Sequence, residues 1–170
     1  VVYGSINVGG LIGGSLKEAS LEFQDCHSTA MVRGHSYIGG FAGCLENDES
    51  RPAKITDSSA SGEVRMMSEN NDLSAFVGMV TGACEFVDCH ASCDLYSSGS
   101  SGNAGGIIAC TITENGTIHL KNCHYKGKLN GSVSTGGVVG CSTGDIIIED
   151  CSAEGNLIAP ISHAGGILGL

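Results

Sequence analysis

Five short stretches of the chain alternate apolar or small residues with polar ones. They read FQDCHSTAMV at Phe23–Val32, ITDSSASGEV at Ile55–Val64, FVDCHASCDL at Phe86–Leu95, LKNCHYKGKL at Leu120–Leu129 and IEDCSAEGNL at Ile148–Leu157. Alternation with period two marks a strand that buries one face. Alignment of the five places the inward positions in columns. The first is Cys26, Ser58, Cys89, Cys123 and Cys151, and the second is Ser28, Ala60, Ala91, Tyr125 and Ala153. Then come Ala30, Gly62, Cys93, Gly127 and Gly155, followed by Val32, Val64, Leu95, Leu129 and Leu157. The alternation breaks just before the first column, because Phe23 and Cys26 both suit the interior although an odd number of steps separates them. A corner is therefore expected at Asp25 and its equivalents Asp57, Asp88, Asn122 and Asp150. Asp and Asn suit corners, since they tolerate left-handed backbone angles and hydrogen-bond to nearby amides.

Between these stretches a glycine phrase recurs. VGGLIGG at Val8–Gly14 returns as IGGFAGC, LSAFVGM, AGGIIAC, TGGVVGC and AGGILGL, with the first glycine or its equivalent at Gly9, Gly39, Ser74, Gly105, Gly136 and Gly165. A period near 30 residues signals a solenoid or an array. Each unit of about 31 residues reads as three extended segments joined by turns: the glycine phrase, a run ending at the apolar residue before the Asp or Asn, and the Cys stretch. The best helical stretch, Ser15–Leu21, is too short to stand as a helix. Parallel crossovers are right-handed, so the expected fold is all-β, a right-handed parallel β-solenoid (β-helix) of about five rungs. Residues 1–170 form one repeat domain in this reading, and the lack of polar caps reads as a window cut from a longer array or multidomain surface protein. The loops Glu46–Pro52, Arg65–Asp72 and Ser97–Asn103 are where a ligand contact is expected, and the first two absorb most of the length variation.

Composition agrees with a thin, repetitive core: 27 Gly, no Trp and only 4 Phe in 170 residues. A net charge of −10 disfavours nucleic acid and anionic lipid, which are held mainly through Lys and Arg. No apolar run reaches the length of a membrane-spanning helix, so no direct membrane insertion is expected in this segment. The nine cysteines mostly share repeat slots, which favours reduced, buried thiols acting as small hydrophobes. Cys84 and Cys93 have no repeat partner and are the candidates for any bridge. In this reading Cys26, Cys89, Cys123 and Cys151 form a structural column.

Candidate chemistry is sparse. The corner column Asp25, Asp57, Asp88, Asn122 and Asp150 is read as structural, its carboxylates accepting hydrogen bonds from turn amides; calcium bound between rungs is the alternative. His27, His90 and His124 point outward, as exposed residues or, for His90 and His124, as an incomplete zinc pair with no third ligand. Glu63 and Asp94 stack on adjacent rungs, the nearest thing to a paired-carboxylate site. No catalytic residue, no cofactor and no metal ligand set is expected, and the chain is not expected to be an enzyme. Two sequons, Asn115-Gly116-Thr117 and Asn130-Gly131-Ser132, are placed in turns.

The alternation of a GG-[LIFV]-[IVAL]-G phrase with [DN]-C-x-[SAY]-x-G-x-[VL] resembles the GLUG motif, found in tandem in bacterial cell-surface and secreted proteins, including adhesins and some immunoglobulin-A-cleaving metallopeptidases. The resemblance covers essentially the whole chain; Ser74-Ala75, Ala109 and Ser58 are the local departures. It implies an extracellular or cell-surface β-solenoid, a stalk or adhesin-type surface whose partner is a host or cell-surface glycan or protein. It also leaves room for a carbohydrate-binding or polysaccharide-degrading β-helix, or an accessory repeat domain of a secreted peptidase. The chain has no HExxH, so peptidase chemistry would belong to another domain.

Overall fold

A computed structural model of the chain describes residues 1–68, 71–97, 102–131 and 133–170. Every strand pairing among them is parallel, and the pairings form three ladders wound into a β-solenoid of about five turns, with no helix. The Cys face stacks Val2–Tyr3, Val32–Gly34, Ser59–Met66, His90–Tyr96, His124–Lys126 and Ser152–Glu154, with His27–Ser28, Leu129–Asn130 and Leu157–Ile158 as its shorter pieces. The Gly face stacks Ile6–Gly9, Ser36–Gly39, Leu73–Ser74, Asn103–Gly105, Ser134–Gly136 and His163–Gly165. The long face holds the remaining strands, from Ile12–Gly14 and Glu22–Gln24 up to Ile108–Lys121 and Val139–Glu149.

Register follows the inward columns. Ala60 pairs with Ser28 and Ala91, and Ala91 with Tyr125; Val64 pairs with Val32 and Leu95, and Leu95 with Leu129. A one-residue slip would turn each of these side chains to solvent, so burial holds the register. Tyr125 is the outsize member of its column, yet it is only 4% exposed. It fits because a Cβ on Gly106 would lie 2.3 Å from its ring, and its hydroxyl donates to the Cys93 carbonyl at 3.1 Å.

The faces divide the chain differently from the three segments read along the sequence. The glycine phrase is not one wall: its first glycine ends a Gly-face strand, and after the second the chain turns onto the long face. In the fourth and fifth turns the long face then continues unbroken to the Asp or Asn corner, as Ile108–Lys121 and Val139–Glu149. The sequon at Asn115 therefore lies within a strand rather than a turn, at a register irregularity between Ile112 and Thr117. In the other sequon Ser132 lies outside the described residues, as do 69–70 of Arg65–Asp72 and 98–101 of Ser97–Asn103.

The core is less uniformly small than the composition suggests. Its largest fully buried side chains include Phe41, Phe76 and Phe86. Phe23, Phe41, Phe76 and Phe86 make one chain of ring contacts, with Phe41 and Phe76 stacked at 4.6 Å between centroids. All four phenylalanines of the protein thus pack together.

Candidate functional site

The Asp/Asn ridge is built by backbone geometry. Asp25, Asp57, Asp88, Asn122 and Asp150 have φ between 50° and 54°, the left-handed region, which lets the chain leave the long face and enter the Cys face in one residue. Their amides carry the ladder on: Asp25 N donates to Thr56 O, Asp57 N to Val87 O, Asp88 N to Lys121 O and Asn122 N to Glu149 O. The side chains do not take turn amides as expected. Asp25 Oδ1 instead accepts from His27 Nε2 at 3.0 Å, and Asp88 Oδ1 accepts from Asn122 Nδ2. The reason is the corner itself, which commits its N–H groups to the next rung. The residue choice therefore rests on the left-handed angle. Among the described residues no three His, Cys, Asp or Glu side chains are placed to hold a metal ion.

The slot after the corner has a second role that alternation alone does not reveal. In all five turns its side chain donates back to the carbonyl two residues earlier, on the far side of the corner. The bonds are Cys26 Sγ to Gln24 O at 3.4 Å, Ser58 Oγ to Thr56 O at 2.7 Å, Cys89 Sγ to Val87 O at 3.4 Å, Cys123 Sγ to Lys121 O at 3.4 Å and Cys151 Sγ to Glu149 O at 3.1 Å. In four of the five turns this is a second bond to a carbonyl that already accepts the corner amide of the preceding turn, so the side chain ties the two sides of the corner together. The sequence signal was the single Ser in a Cys column, since the two types share size and a donor. All nine cysteines are free thiols, Cys84 and Cys93 included. Burial pushes the Cys93 thiol up to about 12 and the Cys44 thiol up to about 11, so both are protonated and poorly nucleophilic at neutral pH.

The ridge gives the first prediction. Asp88→Val should lose about 1–2 kcal/mol relative to Asp88→Gly, the cost of a left-handed angle for an L-residue. Both changes remove the bond from Asn122, so their difference in urea denaturation isolates the backbone term; equal stabilities would show that the angle does not select the residue.

Outward from the ridge, the Cys face carries polar columns that change from rung to rung. His27 Nε2 donates to Asp25, leaving Nδ1 to accept from the Ser59 hydroxyl at 2.8 Å; His124 makes the same pair of bonds with Asn122 and Ser152. His90 stacks on His124 with ring centroids 5.4 Å apart. Glu63 and Asp94 are register partners, but both are engaged: Glu63 pairs with Arg65 at 3.2 Å and Arg33 at 3.8 Å, and Asp94 accepts from the Lys128 amide at 2.9 Å. Arg65 also lies over the Tyr96 ring at 4.8 Å. A shallow depression of about 310 Å³ runs across this face, lined by Ser59, Ser61, His90, Ser92, His124 and Lys126 among others.

A second concavity of about 390 Å³ lies beside the long face, under the loop that contains Glu46–Asp48. From that loop Glu49 reaches over the third turn to accept from the Glu114 and Asn115 amides at 2.9 and 3.0 Å. These bonds hold the Glu49 carboxyl below its ordinary pKa and serve amides stranded at the register irregularity. The loop read as a free ligand contact is thus tied down at its tip.

Comparison with known proteins agrees with the repeat. The family model described as the GLUG motif matches residues 34–65 and 131–158, and each match spans one glycine phrase and the Cys stretch that follows it. No curated protein matches the chain, and no solved structure does.

Proposed function

We propose that this chain, a GLUG-repeat protein, serves as a non-catalytic module of an extracellular or cell-surface protein, at once a stalk and an adhesive surface for a glycan or protein. One contrast carries the reading. Tyr125 aside, the inward side chains of the Cys face stay small or apolar from turn to turn, whereas the outward ones differ: His27, Ser59, His90, His124 and Ser152 in one column, and Thr29, Ser61, Ser92, Lys126 and Glu154 in the next. A scaffold that repeats inside and varies outside is suited to display. The histidines, serines and Tyr96 offer hydroxyl-bonding groups and flat rings on one face, which is the chemistry that meets a sugar.

The test is a glycan array combined with a reducing-sugar release assay. Binding without turnover, weakened by His90→Ala and Ser92→Ala together, is the expected result. Release of sugar from any polysaccharide would replace this reading with an enzymatic one.

A further inference from the structure

Two columns of sulfur run along the solenoid, and they are not equivalent. In the inner column, Cys89, Cys123 and Cys151 each donate to the carbonyl across the corner. The other column lies on the long face. Met79 pairs there with Cys44 on one side and Cys110 on the other, and Cys110 pairs with Cys141. Four soft sulfur donors therefore occupy consecutive positions of one ladder. In-register residues of parallel strands project to the same face, separated by the strand spacing of about 4.8 Å.

The column is close to solvent without being open to it. Cys44 is 3% exposed, Met79 9% and Cys110 7%, and Cys141 is partly exposed. The Cys110 thiol makes a long contact to the carbonyl of its neighbour Thr111, at 3.9 Å, and interacts with the Cys141 and Asn103 side chains. Beside it stands Asp72, 8% exposed, whose Oδ1 accepts from the Asn103 amide at 3.1 Å and Nδ2 at 2.9 Å. Among the described residues no cationic side chain pairs with that carboxyl.

Donor number decides the metal. Tetrahedral zinc and iron–sulfur clusters need four ligands converging on one centre. Donors strung along a line do not converge, and among the described residues no three His, Cys, Asp or Glu do so. A soft d10 monovalent cation is satisfied by two sulfurs on opposite sides, or by three in a plane. Two bonds of about 2.3 Å end to end span about 4.6 Å, close to the rung spacing of about 4.8 Å. We propose that Cys110 and Cys141 form a two-coordinate binding site for a soft monovalent cation of the copper(I) class.

Binding forms two metal–thiolate bonds, breaks two S–H bonds and releases two protons to solvent; no electron is transferred. Because two thiol protons are displaced, affinity rises with pH as proton release becomes easier.

Silver(I) is the redox-inert probe of this chemistry. Native mass spectrometry of the whole chain titrated with silver(I) should show one tightly held ion, and the same ion should protect Cys110 and Cys141 from alkylation. Cys141→Ser, at a partly exposed position, should weaken binding by about 100-fold, since one thiolate is lost. Cys110→Met keeps a soft donor of apolar character; it should retain silver while reducing proton release from two to one. Cys89→Ser, in the inner column, should leave binding unchanged, its hydroxyl taking over the corner bond as in Ser58. Unaltered silver binding in Cys141→Ser, loss of it in a folded Cys89→Ser, or no retained ion at all would each overturn the proposal.

Discussion

Replacing Phe76 by alanine is expected to destabilise the protein by about 3–5 kcal/mol, the range for deleting a fully buried phenyl ring. Phe76 is 0% exposed and touches rings on both sides, stacked on Phe41 at 4.6 Å and edge-on to Phe86 at 6.2 Å. It sits in the middle turn, so the cavity would open between two halves of the stack. In a linear array stability is a sum of unit and neighbour terms, and weakening the central junction should also lower the cooperativity of unfolding. Phe23→Ala is the comparison. Phe23 belongs to the first turn described, is only partly buried and has one ring neighbour, Phe41, so it should lose clearly less. Urea denaturation followed by circular dichroism measures both. Similar losses at the two positions would mean that the ring chain does not act as the central junction.

The importance of Phe76 was hidden in the sequence by its own repeat. It fills a slot also occupied by Leu11, Phe41, Ile107, Val138 and Ile167, and looks there like one more apolar residue of the glycine phrase. That it meets Phe86, which belongs to the other phrase, depends on how the long face folds back over the interior. The columns themselves were readable because each rung samples the same environment, and the pairings of Ala60 with Ala91 and Val64 with Leu95 follow them. The corner was readable for a similar reason, since a break in alternation is a local signal, and the φ of 54° at Asp88 lies where an Asp is tolerated.

What escaped the sequence depends on which turns touch. Glu49 and Glu114 are 65 residues apart and are joined across an intervening turn, a contact that no period of 31 predicts. The Asp25–His27–Ser59 chain of hydrogen bonds links side chains at spacings of two and 32 residues, half local and half between rungs. The glycine phrase was legible as a repeat and not as a corner, because glycine marks both close backbone approach and tight turning. Here it does both within two residues.

Gly105→Ala is the substitution expected to test that double use, with a loss of about 3 kcal/mol, the upper part of the range for overpacking a filled interior. A Cβ at Gly105 would lie 1.8 Å from the Ile108 carbonyl oxygen, 2.6 Å from its carbon and 2.9 Å from the Gly140 nitrogen. These are backbone atoms, so no side chain can swing away to make room. Gly166→Ala is the internal control, because a Cβ there meets nothing within 4 Å; it should be neutral to within about 0.5 kcal/mol, as for a surface change. The ladder nonetheless contains one occupant with a side chain, Ser74, which pairs directly with Gly105 and is fully buried. Its hydroxyl accepts from the Phe76 amide at 3.1 Å, a bond that braces the third-turn corner from inside. The third turn thus shows that a Cβ is admitted where the corner is shaped around it, so Gly105→Ala should weaken the fold without abolishing it. Gly105→Ser should recover none of that loss, because the Ile107 amide already donates to the Val138 carbonyl at 2.8 Å and is not free for the bond that the Phe76 amide makes to Ser74. A serine variant clearly more stable than the alanine one would show that the hydroxyl braces this corner even where the amide is already paired.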